Sequence, residues 1–323
     1  MMIIRASIGT LAKLGLVDIK VGVKQKTAYL LQYSPSGCMA SCIFCGQGKL
    51  SRNRDKIARI TWPPVSLRDF LRRLSERREL FKRICIQTVL KKGFFEELLQ
   101  ILSELKRYGV VLPISVALTP IEKCKLSMLK DLGVECVGVG LDIASKRMFS
   151  KMGKPYSWDI YWNFIKTCSS VFNPQSVYVH LIYGLPVSDQ EFIETMERIY
   201  KYGVNVALFA FTPVPGTPLE NLRPPPLVKY RLMQIVNYLL RKGYRVNDFM
   251  KRSKAGEILI EKSVYEILGK EEIVNATLTS GCPNCDRPFF DSSPKKMYNY
   301  PNKDMALSDW HTIASQLRDI LEA

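Results

Sequence analysis

Short apolar, β-branched runs alternate strictly with helical patterns between positions 27 and 242, an order that few architectures accept. The runs at 27–32, 84–90, 113–118, 136–142, 176–183 and 205–212 read as strands, several of them too apolar for a half-solvated face. Helical periodicity predicts helices over 66–81, 94–108, 120–132, 158–171, 189–202 and 225–242. Within 94–108, Leu98, Leu99, Ile101, Leu102 and Leu105 keep one face apolar, and Gly109 ends the helix. Strand–helix alternation of this kind implies an α/β fold with a parallel sheet and right-handed crossovers. Functional side chains are then expected at the carboxyl ends of the strands.

The pattern divides the chain into an N-terminal segment 1–26, a core 27–243 and a C-terminal extension 244–323. Turn-rich sequence follows Gly243, including the basic run at 251–256. Beyond it a tail carries Pro283, Pro288, Pro294 and Pro301, then a last helix in which Trp310, Ile313, Leu317 and Ile320 share a face. No stretch is long and apolar enough to span a membrane, and the start Met1-Met2-Ile3-Ile4-Arg5 does not read as a cleavable signal, so a cytoplasmic protein is expected. The formal charge of +17 suits a polyanionic partner, either nucleic acid or an acidic protein. Its basic residues run along the whole chain rather than forming one aromatic-interleaved stripe, which makes nucleic acid the weaker choice.

Nine cysteines are an odd number in a chain too long to need disulfides, and five of them fall in two tight clusters, so metal or redox chemistry is expected. In Cys38-Met39-Ala40-Ser41-Cys42-Ile43-Phe44-Cys45 three thiols stand on a loop at the mouth of the first strand. Three neighbouring thiolates can take three corners of a cubane iron–sulfur cluster and leave the fourth iron open for chemistry. A closed zinc site would want a fourth ligand nearby, and the two histidines, His180 and His311, are remote in sequence.

This spacing, with an aromatic residue before the last cysteine, resembles the signature of the radical S-adenosylmethionine (SAM) superfamily. The resemblance implies a partial (β/α)6 barrel, and a 4Fe–4S cluster on Cys38, Cys42 and Cys45. On this resemblance the open iron would chelate SAM and deliver one electron to it, giving methionine and a 5′-deoxyadenosyl radical. It also implies that Phe44 lies against the adenine and that Gln87 and Thr88 meet the methionine end. Asp142, in a Gly-Leu-Asp like the Asn-Leu-Asp of biotin synthases, would bind the ribose. Ile182 and Gly184 would flank the adenine in a stretch similar to the family's fifth strand. Thr212 to Glu220 matches the Pro-Gly-Thr-Pro-Leu turn of the biotin synthase-like branch. His180 is expected to point into the barrel as a packed core histidine.

Cys282-Pro283-Asn284-Cys285 lies in a proline-rich coil, outside the strand-to-helix context of a redox dithiol, and reads as half of an auxiliary cluster site. Cys85 occupies the position at which biotin synthases place a ligand of their sulfur-donating cluster, which makes it the first candidate to complete the site. Cys124 is the second, while Cys136 and Cys168 read as core thiols. Ser115 and Tyr178 stand where biotin synthases carry further cysteines.

The opening 5–16, the segment Ala58-Arg59-Ile60-Thr61-Trp62-Pro63, the Thr-Ser-Gly-Cys-Pro-x-Cys-x-Arg-Pro tail and Tyr298-Asn299-Tyr300-Pro301 together resemble the two-component lipoyl synthases of archaeal type. That resemblance implies sulfur insertion at C6 or C8 of an octanoyl chain. The chain is borne by a lysine of an acidic lipoyl carrier domain or glycine-cleavage H protein. It further implies an auxiliary 4Fe–4S cluster as sulfur source, a second radical SAM component and an electron donor such as ferredoxin. Biotin synthase, or another small-molecule enzyme of the same branch, is the alternative expectation.

Overall fold

A computed structural model describes residues 2–252, 258–260, 268–293 and 295–321. The basic run is thus described only as far as Arg252, and Lys254, Pro294 and the side chain of Ile320 lie outside the described residues.

The strands in chain order are β1 (Ile3–Ala6), β2 (Thr27–Gln32), β3 (Lys56–Ile57), β4 (Ile60–Thr61), β5 (Pro64–Ser66), β6 (Arg83–Gln87), β7 (Ile114–Leu118), β8 (Val134–Asp142), β9 (Val177–Tyr183), β10 (Asn205–Ala210), β11 (Met250–Arg252) and β12 (Ile258–Ile260). One eight-stranded sheet runs β10-β9-β8-β7-β6-β2-β1-β5. Its six strands from β2 to β10 pair parallel and in sequence order, giving the partial barrel core. The sequence pattern expected these six; it did not expect β1 and β5, which extend the sheet by antiparallel pairing beyond β2.

Helices Phe94–Arg107, Lys123–Asp131, Trp158–Val171, Asp189–Lys201 and Leu227–Arg241 follow the strands in alternation. Several expected elements are shorter, two of them by three residues or more at their carboxyl ends. The helix anticipated at 66–81 ends at Glu76 and continues as a 3-10 turn at Arg78–Leu80. The strand anticipated to reach position 90 stops at Gln87, because Val89 N donates to Gln32 Oε1 and Leu90 O accepts from Met39 N. That stretch is used to hold the cysteine loop instead of the sheet.

Strand periodicity sorts side chains between two environments. On β6, Ile84 and Ile86 pack outward under the helices with no exposure, while Cys85 and Gln87 face the lumen. The C-terminal segment crosses the seam between the first and last parallel strands. Ser280 Oγ accepts from Leu208 N of β10, and Asn284 O accepts from Thr27 Oγ1 of β2. Asp286 then accepts from both Lys26 N and the Tyr29 hydroxyl. The sequence leaves this tail as coil; after the cysteine pair it forms the short helix Arg287–Asp291.

Candidate active site

The carboxyl ends of the parallel strands surround a cavity of about 220 Å³, and Cys38, Cys42 and Cys45 all line it. Their loop folds back on itself: Cys38 N donates to Gln47 O at 2.7 Å, Gly48 N to Cys45 O at 2.9 Å and Lys49 N to Ala40 O at 2.8 Å. Two glycines make this winding possible. A Cβ on Gly48 would lie 2.7 Å from Cys42 O, and one on Gly153, whose φ is +75°, would lie 2.1 Å from Ser41 O. Burial pushes the Cys42 thiol up to about 12, against the pull of Lys154, and raises Cys45 as well. Thiols so placed become thiolates when a bound metal ion supplies the missing positive charge.

Of the residues singled out in sequence, Phe44, Gln87, Thr88, Asp142 and Ile182 line the same cavity. Thr88 Oγ1 is anchored on Ala117 O at 2.8 Å. Asp142 adopts a left-handed φ of 64°, a conformation that costs a non-glycine residue energy and turns its carboxylate into the cavity. It caps nothing: the next helix is capped by Ser145, whose Oγ accepts from Met148 N. Gly184 is placed differently from the expectation drawn for it. Its φ is 104°, a Cβ there would meet Pro225 Cδ at 2.6 Å, and it is not among the residues that line the cavity. Its need for glycine comes from the packing of Pro225.

His180 points into the lumen as expected and lines the cavity. Burial, aided by the Arg287 guanidinium, pushes its imidazole down to about 4, so it is neutral near pH 7.

Below this cavity, toward the amino ends of the strands, lies a smaller one of about 30 Å³, lined by Cys85, Cys136, Cys282 and Cys285 together with Ser115 and Tyr178. Cys285 donates to Cys282, which lowers the Cys282 thiol to about 7 and raises its partner. Burial pushes Cys85 and Cys136 up to about 12. Cys136 is buried, as a core thiol is expected to be, but it also lines this cavity, whereas Cys124, the second candidate, is exposed on helix Lys123–Asp131 and does not. Cys168 is buried within its helix as expected. Among the described residues no three of His, Cys, Asp or Glu converge as ligands of a single ion would. A cubane does not require such convergence, since each corner iron takes its own thiolate.

Three residues were missed. Lys154 donates to Asp142 Oδ2 at 2.7 Å and to Gly140 O at 2.6 Å. Arg287 donates to Gln87 Oε1 at 2.6 Å and to Asp291 at 2.8 Å. Cys136 had a signal: it stands in alternation with Gly138 and Gly140 on β8, on the face opposite the apolar Val137, Val139 and Leu141.

Residues 33–199, just over half of the chain, match the family model described as the radical SAM superfamily. The chain belongs to that superfamily. Solved structures agree on the fold. Methylornithine synthase superposes with a TM-score of 0.53 at 14% identity, over 95% of this chain and 87% of that one. HydG, a maturase of FeFe-hydrogenase, gives 0.52 at 13% identity over 66% and 49%. The HydG of Carboxydothermus hydrogenoformans gives 0.51 at 14% over 73% and 56%. No curated protein matches the sequence significantly. Membership of this superfamily implies a 4Fe–4S cluster and SAM as cofactors. The upper cavity fits them in kind: three thiols share one wall, and polar groups from β6, β8 and β9 face it. No helix among the described residues is long and apolar enough to cross a membrane.

Proposed function

We propose that this radical SAM enzyme inserts sulfur into an octanoyl chain carried on a lysine of a lipoyl carrier domain or glycine-cleavage H protein, as one component of a two-part lipoyl synthase of the biotin synthase-like branch. The observation that carries the proposal is the shared wall of the two cavities. Gln87, Ala117, His180, Phe209 and Arg287 line both, so a substrate carbon held between them is within reach of both sets of cysteines. An unactivated aliphatic C–H offers no acidic proton for a base. A SAM-binding cluster held by Cys38, Cys42 and Cys45 would, with one electron from the external donor, supply the radical that such a C–H requires, and an auxiliary 4Fe–4S cluster held by Cys282, Cys285 and Cys85 would be the source of sulfur.

The protein's own part is placement. Cys38, Cys42 and Cys45 hold the upper cluster; Phe44, Gln87, Thr88, Asp142 and Ile182 line the space for SAM. Lys154 fixes the Asp142 carboxylate, and Arg287 fixes Gln87 at the border of the two cavities. Segments that resemble lipoyl synthases, though far apart in sequence, meet in space: Arg5 Nη1 donates to Trp62 O at 2.6 Å, and Thr279 N donates to Tyr300 O at 3.0 Å. The +17 charge favours encounter with an acidic carrier domain and with an acidic electron donor of ferredoxin type, in a cytoplasmic setting. A biotin synthase-type small molecule is the second reading. Cys85 in the lumen favours it, whereas Ser115 and Tyr178 occupy the other two cysteine positions of that cluster.

The test is anaerobic reconstitution with SAM, reductant and an octanoyl-lysine peptide, with and without the partner component, read by mass spectrometry. Expected products are 5′-deoxyadenosine and a peptide that gains sulfur. Formation of 5′-deoxyadenosine without sulfur gain would remove the lipoyl assignment, and its absence would remove the radical chemistry.

A further inference from the structure

Round the lumen at the level of the lower cavity, the strand register sets Tyr29 beside Cys85, Cys85 beside Ser115 and Ser115 beside Cys136. Two thiols of one lumenal layer therefore sit a single strand apart, with only a serine between them. Cys282 and Cys285 enter the same cavity from the seam-crossing segment, held there by the Ser280 contact to β10 and by Arg83 Nε, which donates to Pro283 O at 2.7 Å. Four thiols from β6, β8 and the C-terminal extension thus face one space. Gly138, Ala117, Ala207 and Gly281, residues with little or no side chain, keep its walls back.

The surroundings suit anionic sulfur. Arg83, only 2% exposed, pairs through Nη2 with Glu135 at 2.9 Å and sends Nη1 to within 3.8 Å of Cys136 Sγ and 3.1 Å of Ser115 Oγ, while Arg287, paired with Asp291, lines the cavity from above. A cluster held by four thiolates carries net negative charge, and burying it demands nearby cations.

We propose that Cys136 is the fourth protein ligand of the auxiliary cluster, beside Cys85, Cys282 and Cys285. Every corner iron of a cubane there has a thiolate, and none is left for SAM, which is directed to the upper cavity alone. The inference rests on the reading of the lower cavity as an auxiliary cluster site, and the experiment separates the two.

The upper ligands are first removed together (Cys38→Ala, Cys42→Ala, Cys45→Ala), and the full chain is reconstituted anaerobically with iron and sulfide. About four irons and four sulfides per chain are expected to remain, with a 4Fe–4S Mössbauer signature. Adding Cys136→Ser, close to isosteric and checked for folding by circular dichroism, should change that signature and speed iron removal by a chelator roughly tenfold. Adding Cys124→Ser should change neither. An unaltered spectrum and chelation rate in the Cys136→Ser background overturn the role of Cys136 while leaving the auxiliary cluster standing. A triple variant devoid of iron overturns the cluster reading and this ligand with it.

Discussion

Lys154 Nζ stands 2.7 Å from Asp142 Oδ2, with only 4% of the lysine side chain and 18% of the aspartate side chain exposed. Burial works against a lysine charge, but the carboxylate outweighs it and keeps the ammonium protonated. The pair connects the end of β8 to the segment that supports the cysteine loop, where Ile43 N donates to Met152 O. Removing one partner leaves the other charge unpaired and largely buried. Lys154→Met is expected to cost about 3 kcal/mol or more in urea unfolding and to weaken SAM binding. The double variant Lys154→Met/Asp142→Asn should regain much of the stability and none of the SAM affinity. A single variant as stable as the parent would show that the pair contributes nothing.

How much of this was legible in sequence depended on whether the signal was local. The six parallel strands could be read because their periodicity is carried by neighbouring residues, and the cysteine loop because its three cysteines lie within eight positions. β1 and β5 were missed because strands of four and three residues hold too few side chains to show a period. Lys154 was illegible for another reason. Its role exists only once Asp142 takes a left-handed turn, which Gly140-Leu141-Asp142 does not announce. Cys136 was legible in the alternation of β8, but its isolation from the other cysteines made a core thiol the simpler reading.

His180 gives the protein a pH response whose direction is fixed. Its folded value of about 4 lies below the ordinary 6.5, so in that interval the unfolded chain binds a proton that the folded chain refuses. This contribution is complete above about pH 6.5 and is lost as pH falls toward 4, by about 3 kcal/mol at most. His180→Gln should flatten that part of the profile. Urea unfolding of both proteins at about pH 5 and about pH 7 reads the difference, and parallel profiles would discard the assignment.

Arg287 touches both halves of the proposed chemistry through Gln87, whose amide nitrogen lies 2.9 Å from Cys85 Sγ. Arg287→Met keeps the bulk of the stem and removes the donors. It should leave 5′-deoxyadenosine formation within a few-fold of the parent, while sulfur gain in the peptide falls roughly tenfold, because a misplacement of about 1 Å is enough to disengage two reacting centres. Equal loss of both products would mean that Arg287 supports SAM itself. No loss in either would leave it a purely structural residue.

Arg231 holds the C-terminal segment from the other side of the barrel. Fully buried on helix Leu227–Arg241, it donates to Tyr298 O at 2.5 Å, to Met297 O, and to Gln316 Oε1 at 2.9 Å. Those carbonyls belong to the stretch whose Tyr300 N donates to Thr277 O and whose Tyr300 O accepts from Thr279 N, three residues before Cys282. Arg231→Met leaves the buried Tyr298 carbonyl and the part-buried Met297 carbonyl without their donor, costing about 1–3 kcal/mol for the buried one and less for the other. The loss falls on the segment that presents Cys282 and Cys285, while the loop of Cys38, Cys42 and Cys45 is held by Leu90, just beyond β6, and by Met152. Limited proteolysis should therefore cut the variant first within 278–300, and after anaerobic reconstitution it should hold about half of the parent's iron, with SAM cleavage preserved. Iron lost equally from both sites would show that the segment and the barrel unfold as one unit.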